Sequence, residues 1–206
     1  MSSASYPPSP WRLNATAYVS MWRLPVRGLQ LSLGERIDAA VLLGSVNLAS
    51  GFVIYEAGGD LEYRELFLAV LARADGKLGV TVPSIWVDST RALAGGRELW
   101  GIPKQLASFE TDGQTLAATA NDAPDLPIAK MVFDKGWRVP GRYRSRASVV
   151  QQSASTLLRT PVLVSAQIEF GRAQWYIPEA SALSLLRGRA PLLSFKLIQA
   201  QIQFGA

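Results

Sequence analysis

Two stretches of this chain alternate apolar and polar residues with a period of two, and they decide the fold class. Val162, Val164, Ala166, Ile168 and Phe170 interleave with Leu163, Ser165, Gln167 and Glu169. Near the C-terminus, Ile198, Ala200, Ile202 and Phe204 interleave with Gln199, Gln201 and Gln203. Successive side chains of a strand point to opposite faces, so each stretch reads as a strand with one buried and one wetter face. Shorter strand candidates are residues 18–22, 51–55, 65–71, 79–87, 115–120 and 128–133, separated by turn signals such as Asp75-Gly76, Asp112-Gly113 and Pro140-Gly141. That spacing favours an antiparallel sheet or barrel over alternating strand–helix units.

Few helices are expected. Ser89 can cap one running through Ala92 and Leu93, which Gly95-Gly96 would interrupt or end. Residues 178–187 read as a second helix, with Pro178 near its start and Gly188 after its end, and residues 35–43 as a third. There is no internal repeat, low-complexity tract or linker, so residues 1–206 read as a single domain.

Composition narrows the chemistry by elimination. The 206 residues contain no cysteine and no histidine. That excludes disulfides, zinc-finger ligation, Cys-His and Ser-His-Asp triads and histidine bases. What is left is lysine, carboxylates, tyrosine, serine or a bound cofactor. The N-terminal residues 1–14 hold no apolar run of signal-peptide type, and the uncharged stretch 39–55 is too short and too polar for a membrane span, so a cytoplasmic protein is the default expectation. The charge of +5 is uneven: from Trp137 onward nine basic residues face only Glu169 and Glu179. Arg138, Arg142, Arg144 and Arg146, interleaved with Trp137 and Tyr143, read as a solvated basic loop; no nucleic-acid-binding motif accompanies them.

Against that background the segment Gly96-Arg97-Glu98-Leu99-Trp100-Gly101-Ile102-Pro103-Lys104-Gln105-Leu106-Ala107 stands out. Its lysine follows a proline and is flanked by Ile102, Leu106 and Ala107, with no acidic residue nearer in sequence than Glu98 and Glu110. Apolar burial penalises an ammonium and favours a neutral amine, which can attack a ketone and form a Schiff base. The other four lysines, Lys77, Lys130, Lys135 and Lys196, read as turn or solvent-facing residues.

This segment resembles the signature of the acetoacetate decarboxylase family, in which the lysine after the proline forms the imine. Upstream, Tyr63-Arg64-Glu65 is similar to the family's tyrosine-x-glutamate segment, and Glu65 precedes Lys104 by the required 39 positions. Pro10-Trp11-Arg12-Leu13 and Pro191-Leu192-Leu193-Ser194-Phe195 resemble weaker landmarks. The resemblance implies a sheet curled into a barrel or cone around an internal cavity, with short peripheral helices and Lys104 directed inward. It implies catalytic roles for Lys104 and Glu65. Tyr63, Arg97 and Gln105 become the substrate-binding candidates, with a core position for Tyr63 and a loop-holding role for Arg97 as the alternatives.

Two departures matter. Gln105 stands where the decarboxylases carry a second lysine, and acetoacetate decarboxylase is itself the usual example of a lysine activated by such a neighbour. The family's N-terminal arginine falls near Ala15 or Thr16. The function the resemblance implies is still a Schiff-base lyase acting on a small oxo acid by decarboxylation, with no metal or organic cofactor and with homo-oligomerisation to which the C-terminal strand contributes. Aldol-type or dehydration chemistry on a 2-oxo acid through the same lysine is the alternative. A non-catalytic small-carboxylate binder, with Lys104 as counter-ion, is the third reading.

Overall fold

The computed structural model describes residues 5–121 and 127–205; residues 1–4 of the N-terminal stretch lie outside it. In chain order the elements are β1 (Trp11–Pro25), β2 (Asp38–Ala39), β3 (Val41–Leu42), β4 (Ser45–Glu56), β5 (Tyr63–Ala74), β6 (Lys77–Val87), α1 (Thr90–Trp100), β7 (Lys104–Asp112), β8 (Thr115–Ala120), β9 (Pro127–Arg138), β10 (Tyr143–Ser153), β11 (Thr156–Tyr176) and β12 (Leu193–Phe204). All the strands belong to one sheet. The expected mainly β fold is what forms.

Seven strands close a ring: β1 pairs β4, then β5, β6, β10, β11 and β12 follow, and β12 returns to β1. The ring forks at its two split strands. β6 pairs β10 near its start and β7 at its end, while β11 pairs β10 through its first half and β9 through its second. Strands β7, β8 and β9 bridge the fork and enclose a second compartment. Two contacts are parallel, β6 with β7 and β6 with β10, so the sheet is mixed rather than wholly antiparallel. A parallel neighbour needs a crossover, and α1 supplies it between β6 and β7.

Strand alternation sorts side chains between the compartments. On β5, Leu66, Leu68 and Val70 enter a solid core with Trp22, Phe52 and Met131, whereas Tyr63, Glu65, Phe67 and Ala69 face an internal cavity. On β1, Trp22 and Leu24 face the core, and Trp11, Leu13 and Ala17 the cavity. One compartment is filled and holds the molecule together; the other is left open. Leu66→Ala, at a fully buried position, is therefore expected to cost about 2–5 kcal/mol, and the adjacent cavity-lining Phe67→Ala clearly less. Urea midpoints at constant slope test this, and equal losses would contradict the two-compartment reading.

Several sequence expectations need correction. α1 is capped by Ser89, whose side chain accepts from the Ala92 N–H at 3.2 Å, but it runs straight through Gly95-Gly96 and closes at Gly101, at a φ of 64°. Residues 178–187 form only one 3-10 turn, Ser184–Leu186. There Ser181 Oγ donates to the Ile128 carbonyl at 2.7 Å and accepts from the Leu183 N–H at 3.0 Å, competing with helical bonding while Leu183 and Leu186 plug the core. Residues 35–43 are not helical: Asp38 and Ala39 pair with β5, Ile37 packs on Ala72, Ala74 and Val150, and Leu43-Gly44 turn at positive φ between β3 and β4.

The basic loop is mostly strand. Arg138 ends β9, and Arg144 and Arg146 lie exposed on β10; only Arg142 sits in the turn. Arg142 Nη1 donates to the Ser165 and Gln199 carbonyls at 2.8 and 3.0 Å, bracing a bulge in β12. That bulge, with Gln199 at positive φ, shifts the alternation: Leu197, not Ile198, shares the cavity face with Ile202 and Phe204. Both edges of β12 are paired, so a subunit contact through it would have to use its exposed glutamine face. Among the described residues no helix is long and apolar enough to cross a membrane.

Candidate active site

The chain enters β7 through a tight turn that aims Lys104. Its N–H donates to the Ile102 carbonyl at 2.8 Å across Pro103, a three-residue turn that the fixed φ of proline suits. Arg97 Nε, from the last turn of α1, donates to the Lys104 carbonyl at 2.7 Å and pins the strand's first residue. A Cβ on Gly96 would lie 2.7 Å from Cδ and 2.8 Å from Cε of Lys104, and one on Gly95 would run into the Trp11 ring. A glycine pair costs a helix about 1–2 kcal/mol; here it lets α1 press against the lysine stem.

The side chain ends in the cavity, 3% exposed. Lys104 Nζ donates to Glu65 Oε2 at 2.9 Å and to the Tyr63 hydroxyl at 3.2 Å. Tyr55, which lies opposite Tyr63 in the β4–β5 register and stacks on it at 4.2 Å, donates its hydroxyl to Glu65 Oε1 at 3.3 Å. The carboxylate is thus held on both oxygens, one by the amine and one by a phenol. The surroundings of Lys104 are not purely apolar: the ammonium is buried together with a carboxylate, as a buried charge requires.

Burial pushes the Tyr55 hydroxyl well above the ordinary phenol range, and the charge of Glu65 adds to the effect. For Tyr63 burial is again the main cause, followed by its neighbours Tyr55 and Glu65. Both phenols therefore stay protonated as donors. The folded state holds these protons more tightly than the unfolded chain, so the stability they confer is complete below the ordinary value of 10.0 and is lost as pH rises through the native values. In an alkaline spectrophotometric titration, Tyr55 and Tyr63 should ionise last, and Tyr55→Phe or Tyr63→Phe should remove that late step. Simultaneous ionisation of every tyrosine in the native protein would refute this.

The cavity measures about 240 Å³ and is lined by every strand of the ring. Among its described lining residues Lys104 and Glu65 are the only charged ones, and Ala147 on β10 is the only exposed one. Glu65 is the single carboxylate there, and no cluster of metal-ligand side chains stands among the described residues.

The five expected site residues divide. Lys104, Glu65 and Tyr63 come together. Arg97 and Gln105, expected at the substrate, are outside the cavity and border an outer groove with Leu93, Pro103 and Asn121. Gln105 is turned away because it follows Lys104 on a strand; Arg97 is exposed and spends its Nε–H on the backbone. Tyr55 was not anticipated. No local pattern marks it, and only the pairing of β4 with β5 brings it to Glu65.

The resemblance extends to known proteins. Acetoacetate decarboxylase from Ralstonia nicotianae is 28% identical over 127 residues, covering 60% of this chain and 50% of that protein. The Acidiphilium cryptum acetoacetate decarboxylase is 30% identical over 128 residues, covering 58% and 49%. The chain thus spans about half the length of these curated relatives. The crystal structure of acetoacetate decarboxylase from Legionella pneumophila superposes with a TM-score of 0.69 at 18% identity, covering 98% of this chain and 87% of that one. The enduracididine biosynthesis enzyme MppR complexed with pyruvate gives 0.66 at 13%, covering 99% and 91%. These two share the fold. The profile of the acetoacetate decarboxylase (ADC) family matches residues 3–176, a span that contains Tyr55, Tyr63, Glu65 and Lys104, and the chain belongs to that family.

Proposed function

We propose that the protein is a carbon–carbon lyase that works through a Schiff base on Lys104, decarboxylating a small oxo acid. The observation that carries this is a single lysine, 3% exposed, whose Nζ lies 2.9 Å from a buried carboxylate inside a cavity whose other described lining residues are uncharged. Along that contact the ammonium passes a proton to Glu65, leaving a neutral amine and a neutral acid. The amine adds to the substrate carbonyl, and protonated Glu65 returns its proton to the departing hydroxyl, which leaves as water. The iminium then accepts the electron pair of the breaking carbon–carbon bond as carbon dioxide departs. The resulting enamine takes one proton from solvent at carbon. Water adds to the new iminium with Glu65 as base, and the ketone is released.

Tyr55 and Tyr63 orient this exchange. The Tyr55 hydroxyl holds Oε1, keeping Oε2 toward the amine, and the Tyr63 hydroxyl fixes the position of Nζ. Gln105 follows Lys104 where the decarboxylases carry a second lysine, so Glu65 is the group that exchanges the proton with Nζ in this reading.

A second reading keeps the imine and changes the bond: condensation of a 2-oxo acid with an aldehyde. It is favoured by the shared fold with MppR, which is described with the condensation product of pyruvate and imidazole 4-carboxaldehyde bound. Homo-oligomeric assembly belongs to the proposal and is tested by sedimentation.

The decisive experiment is borohydride reduction in the presence of candidate 3-oxo and 2-oxo acids, followed by intact mass and peptide mapping. A reduced adduct on Lys104 is expected. No adduct with any carbonyl compound would leave Lys104 as a counter-ion and end the enzymatic reading. Carbon dioxide release separates decarboxylation from condensation.

A further inference from the structure

The polar groups of the cavity are gathered in one place. Lys104, Glu65, Tyr55 and Tyr63 are linked by hydrogen bonds, and the remaining wall is hydrocarbon, contributed by Val53, Val82, Val149, Val162, Val164 and Ile202 among others. Among the described residues no arginine lines it. The one cation present is the nucleophile itself, already paired with Glu65. A second charged or hydroxylated group on a ligand would be buried without a partner, and a second carboxylate would also meet the field of Glu65. The volume of about 240 Å³ corresponds to roughly eight water-sized units. A methyl group on the ketone would leave much of that hydrocarbon wall uncovered.

Resting on the imine reading above, we infer that the substrate is a 3-oxo acid whose ketone carries a hydrocarbon group of about four to five carbons, with no polar group beyond the carboxylate that is lost. The carbonyl meets Lys104, the carboxylate leaves as carbon dioxide from a site whose one cation is the iminium itself, and the hydrocarbon group covers the valine wall. Each methylene buried there raises binding about three- to fourfold, so lengthening methyl to butyl raises kcat/KM by roughly 30-fold. Decarboxylation itself is unchanged: the carbon–carbon electron pair still passes to the iminium.

The test uses the native protein with 3-oxobutanoate, 3-oxoheptanoate, 5-methyl-3-oxohexanoate, 6-hydroxy-3-oxohexanoate and 3-oxopentanedioate, reading carbon dioxide release and the borohydride adduct mass. The expected result is a kcat/KM about 30-fold higher for 3-oxoheptanoate than for 3-oxobutanoate, with 5-methyl-3-oxohexanoate close to 3-oxoheptanoate. The hydroxylated isostere of 3-oxoheptanoate should be at least about tenfold poorer than it, and the dicarboxylate should give neither turnover nor adduct. A flat or falling alkyl series, or a dicarboxylate processed as well as 3-oxobutanoate, overturns the inference while the adducts themselves leave the imine reading standing. Absence of every adduct overturns both.

Discussion

Lys104→Ala is expected to remove the borohydride adduct and to lower kcat/KM by about 10⁴-fold or more, the scale on which a missing covalent group acts. Lys104→Arg sharpens the test. A guanidinium keeps the positive charge beside Glu65 but stays protonated and forms no imine, so this variant should fold and be as inactive as the alanine variant. Were the protein only a carboxylate binder, Lys104→Arg would retain part of the affinity and native protein would give no adduct. Glu65→Gln should lower kcat far more than it raises KM, because the carboxylate moves protons rather than holding substrate. An adduct that maps to Lys130, on β9, would overturn the site assignment while sparing the reaction class.

The second expectation concerns what this site costs the fold. Lys104 and Glu65 are 3% and 7% exposed, so solvent screens their pair little. Glu65→Leu leaves a buried ammonium without its carboxylate, and Lys104→Met leaves the carboxylate with only a tyrosine hydroxyl. Each single variant should lose about 3–5 kcal/mol of stability. The double variant, which fills the same space with hydrocarbon, should match the native protein or exceed it by up to about 4 kcal/mol. A double-mutant cycle on urea midpoints measures the coupling. Simple addition of the two losses would mean that the pair does not act as a unit and that the wall cannot accept its apolar replacement. If the expected pattern appears, the ion pair is kept for chemistry rather than for holding the ring together.

The reach of the sequence follows from what is local. Alternation of apolar and polar residues depends only on neighbours along one strand, so most strands, and thereby the β class, were legible. So was the Ser89 cap, which is settled within four residues. The Pro-Lys segment and the 39-residue spacing to Glu65 pointed to this candidate pair through the family resemblance, which rests on residue type and spacing along the chain. Legibility ended where a partner is chosen across the sheet. β7 and β10 were not anticipated as strands; β7 is placed by pairing with β6 and β8, and β10 by pairing with β6 and β11. The bulge at Gln199 is read only against β1 and β11, and it exchanged Ile198 for Leu197 at the cavity. The helical pattern of residues 178–187 yielded to Ser181 bonds reaching Ile128, 53 residues earlier.

The site divides on the same line. The sequence by itself excluded histidine and cysteine chemistry and left lysine, carboxylates, tyrosine, serine or a bound cofactor; the resemblance to the acetoacetate decarboxylase family then singled out Lys104 and Glu65. Only the tertiary structure decided that Tyr55 joins them, because its place is set by the register of β4 on β5. Only the tertiary structure put Gln105 and Arg97 outside the cavity, one by the alternation of a strand whose start lies in a turn, the other by a hydrogen bond to the Lys104 carbonyl. The cavity was anticipated through the resemblance and not by the residues alone: valines and leucines signal burial, but whether seven strands collapse on them or close around a space depends on the closure of the ring.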